Sequence, residues 1–284
     1  MIDLHCHLLP SLDDGASDLA VSLEMARAMV ADGVAIAACT SHILPGLYNN
    51  SGLQIRKATA ALQEALNQHG IPLQLTTGAD NHIVADFVAQ LRAGQLLTLA
   101  NSRYVLVEPP HHVAPPRIEE FFFGLQAAGY VPILTHPERL TWIKAQYGVI
   151  QRLFRAGIWL QVTAGSLSGI FGRNARYWAE RMLDEGCVHI LATDAHDLAH
   201  RPPNLREGRE LAAKRVGEAE AWHLVVTRPR GVLLNAVPAQ LPQPCAAAGE
   251  PNEEAVDLAF TRAPRRRDGG AVVGRLRRLF ESHR

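Results

Sequence analysis

Cysteine is scarce in this sequence. Four occur in 284 residues, at Cys6, Cys39, Cys187 and Cys245, with no C-x-x-C pair among them. That spacing offers neither a disulfide framework nor a thiolate cluster for a metal, and a reduced cytoplasmic compartment is the default reading. An excess of one charge is also missing. Basic and acidic residues number 28 each, for a formal net charge of +0. No broad basic field is present to attract nucleic acid or an anionic membrane. No apolar run reaches the roughly 20 residues of a bilayer span, so no transmembrane segment is expected. The N-terminus shows no basic stretch followed by an apolar signal core. No G-x-G-x-x-G follows the first strand, which counts against an open dinucleotide-binding sheet. Nothing in the pattern specifies an oligomeric state.

What is present is an ordinary globular balance, 48% apolar and 20% charged, in a length that suits one large α/β domain. Short apolar runs alternate with amphipathic stretches. The strand candidates are "MIDLH", "VAIAACT", "IPLQLTTG", "RYVLVE", "YVPILTH", "IWLQVTAG" and "VHILATDAH". Several are apolar throughout, as expected of strands buried on both faces. Helix candidates lie between them. The first is Ser17–Asp32, with Ser17 as its cap and Leu19, Leu23, Ala26 and Val30 as its apolar face. The others are Leu53–His69, Ile118–Ala128, Tyr147–Ala156 and Arg173–Glu185. Gly129, Gly157 and Gly186 each stand between a helix and a strand, where a left-handed residue is useful. About seven βα units predict a parallel sheet closed, or nearly closed, into a barrel over residues 1–235. From about residue 236 to 284 the chain is Pro- and Ala-rich and then basic, and is expected to be a disordered linker and tail.

The chain contains 13 histidines, and their placement matters more than their number. His5 and His7 sit two residues apart on the first strand, so they share a face. His42 follows the second apolar run and Asp80 the third. Glu108, His136 and the pair Asp194 and His196 stand at or just beyond the ends of later runs. Asp14 lies on the loop after the first strand. In each case the apolar run comes first and the donor comes at its C-terminal end, where parallel barrels gather their sites. Five imidazoles and four carboxylates exceed what one ion needs. They suit two or three ions of Zn, Mn or Fe rather than Ca²⁺. Closely spaced ions of this kind serve phosphoester hydrolysis.

The segments "DLHCH" with "DDG", "TSH", "HPER" and "TDAHDLAHRPP" resemble the polymerase-and-histidinol-phosphatase (PHP) superfamily. They resemble its capsule and exopolysaccharide branch, the CpsB/CapC tyrosine phosphatases, most of all. The likeness extends to "FFFGLQAAGYVPILTHPER" and "QVTAGSLSGIFG", and stops near Asn235. It implies a distorted (βα)7 TIM-like barrel of the PHP type holding three metal ions, often manganese. The implied ligands are His5, His7, Asp14, His42, Asp80, Glu108, His136, Asp194 and His196, with Arg139 and Arg201 as phosphate-binding arginines. It further implies hydrolysis of phosphotyrosine in a protein, the tail of a bacterial tyrosine kinase that controls polysaccharide export. Asp80 is a departure, since the family usually has Glu there. Cys6 replaces another small residue and is expected to face away from the metals. A thiolate mechanism requires C-x5-R, but Leu12, Pro45, Thr193 and Pro251 occupy the sixth positions after the four cysteines. Hydroxide generated on the metals is therefore the expected nucleophile. The alternatives are a PHP phosphatase of a small metabolite such as histidinol phosphate, and a catalytically silent regulator that binds a kinase. Among the remaining residues, Tyr48 and Asn49 are candidates for the cleft wall. Phe121, Phe122 and Phe123 read as core, and His82, His111 and His112 read chiefly as solvated loop residues, with a place beside the mouth as proton donors to the leaving phenolate as the alternative. Asp197 and His200 are candidates for orienting His196 or Arg201.

Overall fold

A computed structural model describes residues 1–245. All seven predicted strands are present. β1 spans Ile2–Cys6. The second predicted strand is β2 (Ile36–Cys39), and the third is β4 (Gln74–Thr77); just beyond the expected end of each comes a short further strand, β3 (His42–Ile43) and β5 (Asp80–His82). β6 (Tyr104–Glu108), β7 (Val131–Thr135), β8 (Trp159–Thr163) and β9 (Ile190–Ala192) complete the set. Every ladder between these strands is parallel. β1, β2 and β4 pair in one sheet, and β3, β5, β6, β7, β8 and β9 in the other.

The two sheets join into a ring. Asp194 N donates to His5 O at 2.8 Å and His7 N to Ala195 O at 2.9 Å, which ties β1 to the end of β9. On the other side the chain runs from β2 into β3 and from β4 into β5. Across these breaks Thr40 N donates to Cys6 O at 3.0 Å, Gly78 N to Cys39 O at 3.1 Å and Asp80 N to Thr40 O at 3.1 Å. Gly78 has a steric reason to lack a side chain, because a Cβ there would lie 2.8 Å from Leu99 and 3.0 Å from Thr40. The result is the seven-unit barrel that the spacing predicts, with the distortion that the family resemblance implies.

Helices cover the strands, with ends that depart from expectation by a few residues. α1 is Leu19–Ala31, capped by Asp18 rather than Ser17. Asp18 Oδ1 accepts from Val21 N at 3.0 Å, while the Ser17 hydroxyl only donates to the Asp18 carboxylate. The buried face is Ser22, Leu23, Met25, Ala26 and Met29, and Leu19 points to solvent. The predicted stripe was thus rotated, because Met25 and Met29 complete it and Leu19 does not. α2 (Gly52–Gln68) starts with a reciprocal Ser51–Gln54 capping box. After a short α3 (Phe87–Arg92) come α4 (Ile118–Ala127) and α5 (Ile143–Arg155), the latter starting four residues ahead of the predicted Tyr147. α6 (Ala164–Ser168) and α7 (Gly172–Asp184) follow, then α8 (Leu205–Trp222), which the periodicity did not reveal, and α9 (Arg228–Leu233). Gly129, Gly157 and Gly186 adopt φ of 92°, 85° and 66°, the left-handed turns their positions required. Phe122 is core and Phe121 packs against it, but Phe123 is exposed, a correction to the expected triplet.

Beyond the expected boundary at residue 236 the chain stays against the barrel. Tyr104 donates its hydroxyl to Ala236 O at 3.0 Å, and Arg228 Nε donates to Pro242 O at 2.7 Å. The remainder of the expected tail, 246–284, lies outside the described residues.

Candidate metal centre

The first strand sets the pattern. Asp3 and His5 lie on one face of β1, and His7 follows on the same face. Cys6 faces the other way, into the hydrophobic core, where its thiol donates to Ala38 O at 3.3 Å. Hydrogen bonds on the far nitrogens aim the two imidazoles. His5 Nδ1 donates to Gln161 Oε1 at 2.8 Å, and His7 Nδ1 to Asp13 Oδ2 at 2.8 Å. Both Nε2 atoms then point inward, 3.3 Å apart. Second partners of this kind fix ring orientation and tautomer. Asp13 holds more than His7, since it also accepts from His42 N at 2.9 Å and Gly15 N at 3.0 Å. Gly15 is required for this turn, because a Cβ would lie 2.2 Å from His7 O.

All nine donors expected from the sequence come together. His5 Nε2 is 3.3 Å from Asp194 Oδ1 and 3.5 Å from Asp80 Oδ2, and His7 Nε2 is 3.3 Å from Asp194 Oδ1. His42 Nδ1 lies 3.4 Å from Asp80 Oδ2 and 3.3 Å from Glu108 Oε2, while its Nε2 is 3.5 Å from Asp14 Oδ1. His136 Nε2 lies 3.9 Å from Asp80 and 3.7 Å from Glu108. His196 donates from Nδ1 to Asp194 O at 2.9 Å and turns Nε2 toward Asp14 at 3.3 Å. The non-glycine residues His136 and Asp194 hold left-handed backbones, with φ of 32° and 51°. Such conformations cost about 1–3 kcal/mol each and gather at functional sites.

The chemistry of this donor set fits divalent cations. Both Asp80 oxygens, Asp194 Oδ1 and Glu108 Oε2 are buried, yet none has a hydrogen-bond donor. Glu108 Oε2 lies 2.6 Å from His82 Nε2, but the two are not aligned as a hydrogen bond. A buried carboxylate oxygen without a donor is costly unless a cation meets it. Five overlapping groups bring their ligand atoms within 4.8 Å of one another, and they include His7–Asp14–His42–His196, His5–His7–Asp80 and His5–His136–Asp194.

Electrostatics divides the histidines. Burial disfavours a charge on His7, but Asp13 outweighs it and lifts the pKa to about 9. Burial is likewise overcome at His42, by Asp80 and Glu108, and its pKa rises to about 11. For His136 burial and the nearby Arg139 act together, and for His196 burial and His7. Both fall to about 4. The desolvation of Asp194 is exceeded by His5, Arg139 and Arg201, which hold its carboxyl well below the usual range.

Arg139 and Arg201 converge on one atom. Arg201 Nη2 donates to Asp194 Oδ2 at 2.5 Å, and Arg139 Nη1 donates to the same oxygen. The Phe171 ring packs against both guanidinium groups, 4.2 Å from Arg139 and 5.9 Å from Arg201. Tyr48 stacks on His42 with ring centroids 5.3 Å apart, in line with a place on the cleft wall, whereas Asn49 serves its own turn by accepting from Gly46 N. Asp197 accepts from the backbone of Ala199 and His200, and the His200 side chain is exposed.

The fold brings here two residues that the sequence did not single out, Asp13 and Gln161, and two that it read as solvated, His82 and His111, which instead lie partly buried against Glu108. His82 and His111 each complete a further group with Glu108. Asp80 and His82 are two residues apart on β5, the same relation that singled out His5 and His7, so the signal for His82 was present.

The profile of the capsular polysaccharide synthesis family CpsB/CapC matches residues 1–234. The tyrosine-protein phosphatase YwqE of Bacillus subtilis is 36% identical over 217 residues, 76% of this chain and 85% of YwqE. The tyrosine-protein phosphatase CpsB of Streptococcus pneumoniae is 26% identical over 244 residues, 83% of this chain and 99% of CpsB. A crystal structure from work on YwqE and CpsB, described as metal-dependent tyrosine phosphatases, superposes with a TM-score of 0.80 at 34% identity. The match covers 86% of this chain and 99% of that one. With a match that runs from Met1 through nearly the whole barrel, the chain belongs to the CpsB/CapC family of capsular polysaccharide synthesis.

Proposed function

We propose that this protein hydrolyses phosphotyrosine in proteins, using divalent ions held by His5, His7, Asp14, His42, Asp80, Glu108, His136, Asp194 and His196. The carrying observation is the set of buried carboxylate oxygens, on Asp80 above all, that face imidazoles and meet no donor. Manganese is the favoured ion, and iron and zinc suit the same donors. Bound ions supply there a water of lowered pKa and positive charge for the phosphate oxygens. Arg139 and Arg201 share Asp194, so a phosphate oxygen arriving beside that carboxylate meets both guanidinium groups. They hold the phosphate and offset its charge as the bond to tyrosine breaks. A phenolate leaves readily, so no strong general acid is needed. The proposed substrate is the tyrosine-rich tail of a bacterial tyrosine kinase that controls polysaccharide export, and the proposed compartment is the cytoplasm. No helix among the described residues is long and apolar enough to cross a membrane.

The test pairs elemental analysis of the purified protein with hydrolysis of a phosphotyrosine peptide by wild type and His136→Ala. Bound transition metal, with activity lost in the variant, is expected. Full activity in His136→Ala would remove that ligand assignment. A kcat/KM for histidinol phosphate equal to or above that for the peptide would replace the substrate assignment.

A further inference from the structure

Glu108 stands at the end of β6, and its two oxygens serve different neighbours. On one side Oε2 lies 2.6 Å from His82 Nε2 and 3.3 Å from His42 Nδ1, and those two nitrogens are 3.2 Å apart. On the other side Oε1 lies 3.0 Å from His111 Nε2 and 3.7 Å from His136 Nε2. Each side forms a compact set of two imidazoles and one carboxylate oxygen. The two histidines nearest the rim, His82 and His111, come from different elements, β5 and the loop after β6. Their presence on a single carboxylate is a product of the fold, not of sequence proximity alone.

The placement of His82 is well enforced. Its neighbour Asn81 points the opposite way and donates to Ala79 O, Leu97 O and Leu106 O at 2.9–3.0 Å. This anchor fixes the register of β5, so Asp80 and His82 both turn toward the mouth. The loop that carries His111 is pinned as well, since Thr141 N and the Thr141 hydroxyl both donate to His111 O at 3.0 Å.

We infer that His82 and His111 are themselves metal ligands. These two lie beyond the nine donors assigned above, and Glu108, already one of the nine, would offer one oxygen to each set. Two imidazoles and one carboxylate oxygen favour borderline ions such as Zn²⁺ or Co²⁺ over Mg²⁺ or Ca²⁺. This inference rests on the reading that the mouth binds divalent ions, and the experiment separates the two.

The full-length, metal-free protein is titrated with Co²⁺ while its visible absorption is followed, beside His82→Gln and His111→Gln. Thermal melting of each metal-free variant checks that it folds. Loss of a nitrogen ligand is expected to change the position or intensity of the cobalt band, and to weaken the last-filled position more than about 10-fold. Weaker binding with an unchanged band would mean that the histidines only orient Glu108, and would overturn the inference. No cobalt binding by wild type would instead remove the underlying reading. A second measurement needs no variant. Carbethoxylation of wild type, mapped by peptide mass, should be blocked by Co²⁺ at His82 and His111 and persist at the neighbouring His112. Equal modification with and without the ion would also overturn it.

Discussion

Two clusters of buried charge occupy this barrel, and they are built on opposite terms. Arg228, at the start of α9, is fully buried with a partner at each guanidinium nitrogen. Its Nη2 donates to Glu220 Oε2 at 2.9 Å, its Nη1 lies 2.8 Å from Glu220 Oε1, and its Nε donates to Pro242 O at 2.7 Å. At the mouth, Asp80 is just as buried, but neither oxygen has a donor. The first arrangement is complete within the protein and holds the segment after α9 to the barrel. The second is incomplete within the protein, and it is the one that lies among histidines. Satisfaction, more than burial, separates a structural ion pair from a binding centre.

Exchanging the two roles gives the largest expected effect. Asp80→Asn should reduce phosphotyrosine hydrolysis by more than about 100-fold, past the range typical of outer partners. Thermal melting of the same variant without metal should fall only slightly, because the carboxylate gives up its attraction for the His42 imidazolium but no hydrogen bond. Arg228→Met should do the reverse. It leaves Glu220 buried and unpaired, at a cost of about 3–5 kcal/mol in denaturant unfolding, with kcat per folded molecule retained. Equal loss of metal-free stability in both variants would erase the distinction.

A smaller effect is expected one layer out from the mouth. Asp13→Asn keeps the shape but weakens the hold on His7 Nδ1 and His42 N. Metal affinity measured by competition with a chelator should fall about 10–100-fold. A change below twofold would show that Asp13 merely fills the turn.

The smallest effect is a pH dependence that belongs to the mouth of the metal-free protein. His7 and His42 have folded pKa values raised to about 9 and about 11, above the ordinary 6.5. Their stabilising contribution is whole below 6.5 and is lost as pH climbs through those values. His136 and His196 are lowered to about 4, so they remain neutral in the fold while the unfolded chain takes up protons. That contribution is lost as pH falls from 6.5 toward 4. Melting temperature without metal should therefore peak near pH 6.5. Adding metal at pH 7.5 should release on the order of two protons, detectable as a buffer-dependent heat. A metal-free maximum near pH 9 would contradict the assigned charge states.

Much of this architecture was legible from the order of residues. The seven strands were visible because each is a short apolar run followed by a polar residue at the mouth, and glycines with left-handed φ marked the returns. The nine expected donors were picked out by that rule, by the loop position of Asp14 and by family likeness, and the fold brings their side chains to one mouth. What was missed had physical causes. α8 contains Gly208 and Gly217, the latter with φ of 81°, so its apolar period is broken. Leu19 looked like the start of a stripe that in fact begins at Ser22. His111 lies in a Pro- and His-rich loop with no period, where only the fold reveals that it returns to Glu108. Asp13 was overshadowed by Asp14, since adjacent carboxylates give no hint of which turns inward.

The double interruption of the ring, between β2 and β3 and between β4 and β5, has a mechanical consequence. His42, Asp80 and His82 ride on strands of two and three residues, set just past the ends of a longer base. Amide hydrogens of β1, β2, β4 and the Asn81-anchored β5 should exchange with solvent only when the whole barrel opens, while those of the two-residue β3 escape through local fraying. A barrel divided in this way concentrates its least protected backbone beside His42, at one edge of the mouth, and leaves the floor closed.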